Sequence, residues 1–124
     1  MDNLSIIGTN SSPEVHFSTD GKLSVAGRSL PEDVALFFTP LEEWMMALEA
    51  DEVLFDINLE YFNSSSSKKI LDLLKILDAN TKVRRIDIIW HYEEGDDDCL
   101  ESGQIFEELL MRSSFKYIEY AEAA

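Results

Sequence analysis

The middle of the chain carries two different hydrophobic periods that meet at a short polar junction. Over residues 53–62 every second side chain is apolar, and the side chains between them are mostly polar. This alternation is typical of a strand that buries one face. Beyond the junction, apolar residues recur at the spacing of one helix face, at Ile70, Leu73, Leu74 and Leu77. The pattern therefore predicts a strand over 53–62 followed by a helix over 65–80.

The same reasoning predicts the other elements. Thr19, Asp20 and Gly21 form a tight-turn signal between two alternating runs, which indicates a β-hairpin. Pro40 lies inside an apolar helical pattern, so we expect that helix to be kinked there. Residues 27–33 indicate a loop that ends in a helix start. The predicted strands cover residues 4–7, 14–18, 22–26, 83–92 and 115–120, and the other predicted helices cover residues 34–50 and 99–112.

The distribution of apolar faces predicts the fold class. Each predicted strand has one apolar face and one polar or mixed face, so helices should cover only one side of the sheet. The strands that begin at Val53, Val83 and Phe115 are joined through helices and should run parallel. The hairpin adds antiparallel pairs, which makes the sheet mixed. We predict a two-layer α/β sandwich with helices on one face, and a length of 124 residues predicts one domain over 1–124.

The composition narrows the range of partners. Ten Lys and Arg residues stand against 25 Asp and Glu residues, which gives a formal net charge of −15. Nucleic acids and anionic membranes are poor partners for such a surface, whereas a basic protein surface would be attracted. Cys99 is the only cysteine, which excludes an internal disulfide and is typical of a reducing compartment. With no signal-peptide pattern and no apolar run of the roughly 20 residues that span a bilayer, we expect a cytoplasmic protein.

The junction between the two periods is rich in helix-capping side chains. Asn63 is followed by four serines at positions 64–67. Asn and Ser are favoured at the N-cap because their side-chain oxygens accept the first free N–H groups of a helix. A structural cap accounts for this composition by itself. The functional alternative is an exposed hydroxyl at a helix N-terminus, where the N–H groups and the helix dipole favour a phosphate.

The stretch from Leu59 to Lys68 resembles the signature of the SiaC family of bacterial regulatory phosphoproteins. Further similar motifs are spread along the chain from about Leu4 to Phe115. They are Gly8-Thr9 with Ser12-Pro13, Gly27-Arg28-Ser29 with Pro31-Glu32, Pro40-Leu41 with Trp44, Trp90-His91-Tyr92-Glu93, Asp96-Asp97-Asp98, and Glu101-Ser102-Gly103. The resemblance implies a fold similar to the STAS domains of anti-sigma-factor antagonists.

The resemblance also implies a regulatory function that depends on one hydroxyl residue. A serine/threonine kinase of the anti-sigma-factor type and a PP2C-type phosphatase would act on that residue. In the family pattern the acceptor follows the Asn of the junction and is usually Thr, which places it at Ser64 in this chain, with Ser65 as the fallback. The unphosphorylated form would bind and activate a diguanylate cyclase in c-di-GMP signalling. We expect the partner contacts to be Asn63, Ser64, Ser65 and Lys68.

Two alternative functions remain open at this point. The nearer one is an anti-sigma-factor antagonist in a partner-switching pathway. The other is a small metal-dependent hydrolase that would use the oxygen ligands Asp96, Asp97 and Asp98 together with His91. The acidic loop lacks the spacing of an EF-hand, and no G-x-S-x-G, P-loop or G-x-G-x-x-G stretch occurs. We therefore expect no catalytic residue, no cofactor and no metal.

Overall fold

A computed structural model describes residues 1–122, which form a six-stranded sheet and three helices. The strands are β1 (Leu4–Ile6), β2 (Glu14–Phe17), β3 (Lys22–Ser29), β4 (Ala50–Phe62), β5 (Val83–Glu93) and β6 (Ser114–Tyr120). The helices are α1 (Val34–Ala47), α2 (Ser64–Ala79) and α3 (Asp97–Leu109).

The sheet is mixed, as the sequence predicts. Its strands are ordered β1-β2-β3-β4-β5-β6, with antiparallel pairing from β1 to β3 and parallel pairing from β3 to β6. The predicted hairpin joins β2 to β3 through Gly21, whose φ of 97° is readily adopted by glycine. The parallel strands β4 and β5 end at the same edge of the sheet, and α2 and α3 begin there.

One face of the sheet is buried beneath the helices. On β4, Val53, Phe55, Ile57 and Leu59 are at most 3% exposed, whereas Leu54 between them is 47% exposed. The helices fill the core with their own apolar faces, which include Phe38, Leu41, Met45, Ile70, Leu73, Leu74, Leu77 and Phe106. The second face of the sheet is open. The architecture is therefore the predicted two-layer α/β sandwich with helices on one face.

The end of β3 differs from the sequence prediction. The sequence predicts a loop over 27–33, but β3 continues to Ser29 because it pairs with the end of β4. The register shifts between Gly27 and Arg28, so that Arg28 pairs with Tyr61 and Glu60 is left as a bulge. The bulge breaks the alternation of β4 and leaves Tyr61 47% exposed. The Arg28 guanidinium lies 5.3 Å from the centroid of the Tyr61 ring.

Two helices end earlier than their patterns predict. α1 ends at Ala47 instead of residue 50, because Ala50 is the first residue of β4 and pairs with β5. α3 ends at Leu109 instead of residue 112, because the N–H groups of residues 111–113 donate to the Asp78 carboxylate. α1 holds Pro40 within one continuous helix. Among residues 1–122, no helix has the length and apolar character needed to cross a membrane.

Candidate functional site

α2 begins at the junction between the two hydrophobic periods, one residue before the predicted start. Asn63 is the N-cap, and its side-chain Oδ1 accepts the N–H of Ser66 at 2.9 Å. The Asn63 carbonyl accepts the N–H of Ser67 at 2.8 Å and closes the first helical turn. Ser64 is therefore the first helical residue, and the capping role belongs to Asn63.

The four serines of the junction occupy different environments. Ser64 and Ser65 are exposed, and Ser67 is half-buried. Ser66 is fully buried, and its Oγ accepts a hydrogen bond from the Ser29 hydroxyl at 2.9 Å. An enzyme could reach the Ser66 hydroxyl only by opening this part of the fold, whereas Ser64 is open to solvent. Folding thus distinguishes residues that are chemically equivalent in the sequence.

Ser29 anchors the junction from the neighbouring strand. Besides the contact of its hydroxyl with Ser66, its carbonyl accepts the N–H of Asn63 at 3.1 Å. These two bonds hold the residues on both sides of Ser64 against the end of β3. The sequence prediction missed this anchor because it placed Ser29 in a loop. A signal was present, since continuing the alternation of β3 past Gly27 puts Ser29 on the buried face.

An open groove of about 430 Å³ lies beside Ser64, between the first turns of α2 and α3. α2 contributes Ser64 and Ser67 to its wall, and α3 contributes Asp98 and Ser102. The exposed Ser65 does not line the groove. The other lining residues come from the end of β4, the cap of α2 and the start of α3, and are Leu59, Glu60, Tyr61, Phe62, Asn63, Asp96 and Cys99. Among the four serines, Ser64 is the one that is both exposed and directed at this concave surface.

Carboxylates dominate the charge of this groove. Asp96 and Asp98 border it at the start of α3, and Glu60 borders it at the end of β4. Lys68 is exposed one helical turn after Ser64, so its ammonium group can reach the neighbourhood of the Ser64 hydroxyl. Ser64 therefore lies between an acidic wall and one nearby lysine.

Asp96 and Cys99 have structural roles at the start of α3. Asp96 is the N-cap, and its Oδ1 accepts the N–H of Cys99 at 3.0 Å. Burial, followed by the charge of Asp96, raises the pKa of the Cys99 thiol to about 11. The thiol is therefore protonated at neutral pH and lacks the thiolate character of a reactive cysteine. Cys99 is part of the buried core.

The residues of the hydrolase alternative do not come together. His91 lies on the open face of the sheet, where its Nε2 is 3.0 Å from the Asp56 Oδ2 on the adjacent strand. Asp96, in contrast, caps a helix on the covered side of the sheet. Within residues 1–122, no group of three His, Cys, Asp or Glu side chains is arranged to hold a metal ion. The His91 side chain therefore contacts Asp56 on the neighbouring strand, and it does not face the carboxylates of Asp96, Asp97 and Asp98.

Comparison with known proteins shows which family this chain belongs to. The model of the SiaC family regulatory phosphoproteins matches residues 6–120. The chain belongs to the SiaC family. An uncharacterized protein of Pseudomonas aeruginosa strain UCBPP-PA14 is 32% identical over 113 residues, which cover 87% of this chain and 90% of that protein.

Solved structures of SiaC proteins share the fold of this family member. Apo-SiaC of Pseudomonas aeruginosa matches with a TM-score of 0.73 and 29% identity, over 94% of this chain and 99% of that one. The crystal structure of the diguanylate cyclase SiaD in complex with its activator SiaC, from the same organism, contains a chain that matches with a TM-score of 0.76. The identity there is 28%, over 96% of this chain and 99% of the other. These matches confirm the STAS-like α/β sandwich.

Proposed function

We propose that this SiaC-family protein is a signalling switch without catalytic activity of its own, and that Ser64 carries its reversible phosphate. A serine/threonine kinase of the anti-sigma-factor type adds the phosphate, and a PP2C-type phosphatase removes it. The unphosphorylated form binds and activates a diguanylate cyclase. One observation carries the proposal: Ser64 presents an exposed hydroxyl at the first position of α2, beside a groove, in a family of phosphoproteins.

The surroundings of the four serines favour Ser64 as the acceptor. Ser66 is buried in its bond with Ser29. Ser65 is exposed but lies off the groove, so a phosphate there would leave the groove unchanged. Ser67 lines the groove but is half-buried within the first helical turn. A kinase can reach the Ser64 hydroxyl with the domain fully folded.

A phosphate on Ser64 should leave the fold intact. It would add about −1.5 to −2 charges at neutral pH. The first N–H groups of α2 have no intrahelical acceptor, and together with the helix dipole they favour an anion by about 0.3–1 kcal/mol at an exposed position. Asp96 and Asp98 across the groove repel the phosphate, but solvent in the open groove screens this repulsion. The two contributions oppose each other, so the free energy of unfolding should change little.

We therefore expect the phosphate to act by weakening the binding of a partner at this surface. A partner that fits neutral serine would have to desolvate a dianion, which costs several kcal/mol unless cations match it. The related SiaC of Pseudomonas aeruginosa is the activator of the diguanylate cyclase SiaD in their solved complex, which supports a cyclase as the partner here. Asn63, Ser65 and Lys68 flank Ser64, and we expect them to contact the kinase, the cyclase or both.

Phosphopeptide mapping of the protein purified from its native cell tests the acceptor. We expect a single phosphate, assigned by fragmentation to Ser64. A second assay tests the partner, by measuring c-di-GMP formation by a diguanylate cyclase of the same cell with unmodified and with kinase-treated protein. The unmodified protein should stimulate the cyclase, and the kinase-treated protein should need at least about tenfold higher concentrations for the same effect. A phosphate on Ser65 would overturn the assignment to Ser64, and a cyclase that ignores both forms would overturn the proposed partner.

A further inference from the structure

The outer face of α1 carries little charge. It consists of the seven exposed residues of this helix, which are Ala35, Leu36, Thr39, Pro40, Glu43, Met46 and Ala47. Glu43 is the only charged residue among them, and the carboxylate of its neighbour Glu42 is turned towards α2, 3.2 Å from the Lys69 Nζ. On α3, in contrast, five of the eight exposed residues are acidic. In a chain with a net charge of −15, α1 therefore presents a nearly neutral helix face.

The outer face of α1 is also apolar. Leu36 is 74% exposed and Met46 is 54% exposed. The side of α1 that packs into the core is a different one, formed by Phe38, Leu41, Trp44 and Met45. Single exposed apolar residues are common, but large apolar side chains that share one uncharged face are typical of an interaction surface. The core therefore does not account for the composition of the outer face of α1.

One stripe of the outer face of α1 combines a protruding side chain with a hollow. At helical spacings of four and three residues, the stripe holds Leu36, Pro40, Glu43 and Ala47. The last three of these residues, together with residues 1–5, line an open hollow of about 630 Å³. Leu36 lies one helical turn before the hollow and is not part of its lining. The stripe thus carries an exposed leucine at its N-terminal end and a concave surface towards its C-terminal end.

Two copies of this stripe are complementary when they run antiparallel. A two-fold axis across the middle of α1 brings Leu36 of one copy opposite Ala47 of the other, at the hollow, and the same contact occurs twice. In the parallel arrangement, the Glu43 carboxylates of the two copies would lie directly opposite each other and would repel. The two helix dipoles would then also point in the same direction, whereas they oppose each other in the antiparallel pair. Charge therefore favours the antiparallel arrangement.

The charge of the chain also favours a second copy as the occupant of this face. A basic partner is attracted to carboxylates and gains little electrostatic energy from a neutral helix face. A second copy carries the same net charge of −15, so it meets the least repulsion where carboxylates are few. Seven residues on each side are fewer than the roughly 20–30 of a standard interface, so the dimer should be weak.

We infer that the outer face of α1 mediates a weak antiparallel dimer of this chain, in which Leu36 of each copy enters the hollow at Ala47 of the other. No α1 residue lines the groove at Ser64. The dimer should therefore form to the same extent with and without a phosphate on Ser64.

Sedimentation equilibrium of the full chain, at concentrations up to about 1 mM, tests the dimer. The wild type should associate reversibly, and its dissociation constant should fall as salt rises, because salt screens the repulsion between two acidic copies. Leu36→Glu should raise the dissociation constant at least about tenfold, because it inserts a charge into each hollow. Ile105→Glu is the matched control, since Ile105 is 51% exposed on α3 and receives the same charge. A monomeric wild type, or wild-type association of Leu36→Glu, would overturn the dimer.

Glu43→Gln tests the same surface in the opposite direction. Each copy loses a carboxylate from the interface, so the dissociation constant should fall at least about twofold. Melting curves and far-UV spectra verify that this variant and Leu36→Glu are folded. An unchanged or weaker dimer in Glu43→Gln would overturn the assignment to α1.

Cysteine cross-linking tests the antiparallel arrangement. A chain with both Leu36→Cys and Ala47→Cys should form disulfide-linked dimers under mild oxidation. Within one chain the two positions lie about 16 Å apart along the helix, too far for a disulfide. Leu36→Cys alone should stay unlinked, and the wild type, whose single cysteine Cys99 is buried, gives the background. Linked dimers of Leu36→Cys alone, or unlinked chains of the double variant, would overturn the antiparallel dimer.

Discussion

The hydroxyl groups of Ser64 and Ser66 differ in access although the residues lie two positions apart. A separation of two residues turns the side chain by about 200° around a helix, so the two hydroxyls point to different sides. Ser66 points at Ser29 and is buried, whereas Ser64 points at the groove and is exposed. The Asn63 cap fixes where α2 begins and therefore which serine is presented. The position of the Asn63 cap thus decides which serine hydroxyl an enzyme can reach.

Alanine substitutions at the junction should separate phosphorylation from stability. Ser64→Ala should abolish kinase labelling and change the free energy of unfolding by less than about 0.5 kcal/mol, because Ser64 is exposed and is not the cap. Asn63→Ala should cost about 1 kcal/mol, because the N–H of Ser66 loses its acceptor. Ser65→Ala and Ser67→Ala are the controls for labelling, followed by mass spectrometry. Undiminished labelling of Ser64→Ala would show that another residue is the acceptor.

A double-mutant cycle tests the buried pair of hydroxyls. Ser29→Ala or Ser66→Ala alone leaves one buried hydroxyl without its partner, at a cost of about 1–3 kcal/mol. The double variant removes both hydroxyls and should cost less than the sum of the two single changes. Urea denaturation measures all three variants against the wild type. Simple additivity would show that the bond between Ser29 and Ser66 contributes nothing specific.

At the scale of elements, α3 lies close to the sheet at Gly103. The Trp90 Nε1 donates to the Cys99 carbonyl at 3.0 Å, and the Trp90 ring meets the Phe106 ring edge-on with centroids 5.6 Å apart. A Cβ added at Gly103 would lie 2.8 Å from the Trp90 Nε1. The ring is buried and hydrogen-bonded, so it cannot move aside easily. This contact sets the height of α3 above β5, and with it one wall of the groove at Ser64.

Gly103→Ala should destabilise the protein even though alanine favours helices. Overpacking against Trp90 is expected to cost about 1–3 kcal/mol, which exceeds the gain of about 1 kcal/mol in helix propensity. Urea denaturation followed by tryptophan fluorescence measures the loss. The exposed neighbour Gln104→Ala is the control and should change stability by less than about 0.5 kcal/mol. A Gly103→Ala variant that is more stable than the wild type would show that α3 can shift without cost.

Local patterns in the sequence predict most of the elements but not all of their ends. β4 and α2 follow from their hydrophobic periods, because one buried face imposes a period of two on a strand and 3.6 on a helix. The extension of β3 and the exposure of Tyr61 do not follow from these periods. Both depend on the pairing of β3 with β4, two segments that are distant in the chain, and on the bulge in that pairing. At the site, the start of α2 depends on neighbouring residues in the chain, and the predicted start at residue 65 is one residue from the observed start at Ser64. The burial of Ser66 is not predicted, since its partner Ser29 is 37 residues away in the chain.

At the scale of the whole molecule, Asp78 joins the C-terminal end of α2 to the segment that follows α3, far from Ser64. Its carboxylate accepts hydrogen bonds from the N–H groups of Met111, Arg112 and Ser113 and from the Ser113 hydroxyl. Burial alone would raise the pKa of the Asp78 carboxyl, but these hydrogen bonds outweigh burial and hold the pKa below its usual value of 3.8. The ionised carboxylate therefore stabilises the folded protein.

The contribution of Asp78 to stability should depend on pH. Because its pKa is lower in the folded than in the unfolded chain, the contribution is present above about pH 4 and is lost as pH falls through the folded value. At pH 7 we expect Asp78→Asn to be about 1–3 kcal/mol less stable than the wild type. This difference should shrink below about pH 4 in denaturation curves. Asp72→Asn is the control on the same helix, and a pH-independent difference for Asp78→Asn would contradict the assignment.

The most direct test of the phosphorylation switch compares two forms of the same protein. Diguanylate cyclase activity is titrated with unmodified protein and with protein fully phosphorylated on Ser64, and both forms are melted in parallel. The phosphorylated form should need at least about tenfold more protein for half-maximal activation, equal to about 1.4 kcal/mol. Its melting temperature and far-UV spectrum should match those of the unmodified form. Equal activation by the two forms would contradict the switch, and a domain that melts on phosphorylation would show that the modification acts through folding instead of through the surface at Ser64.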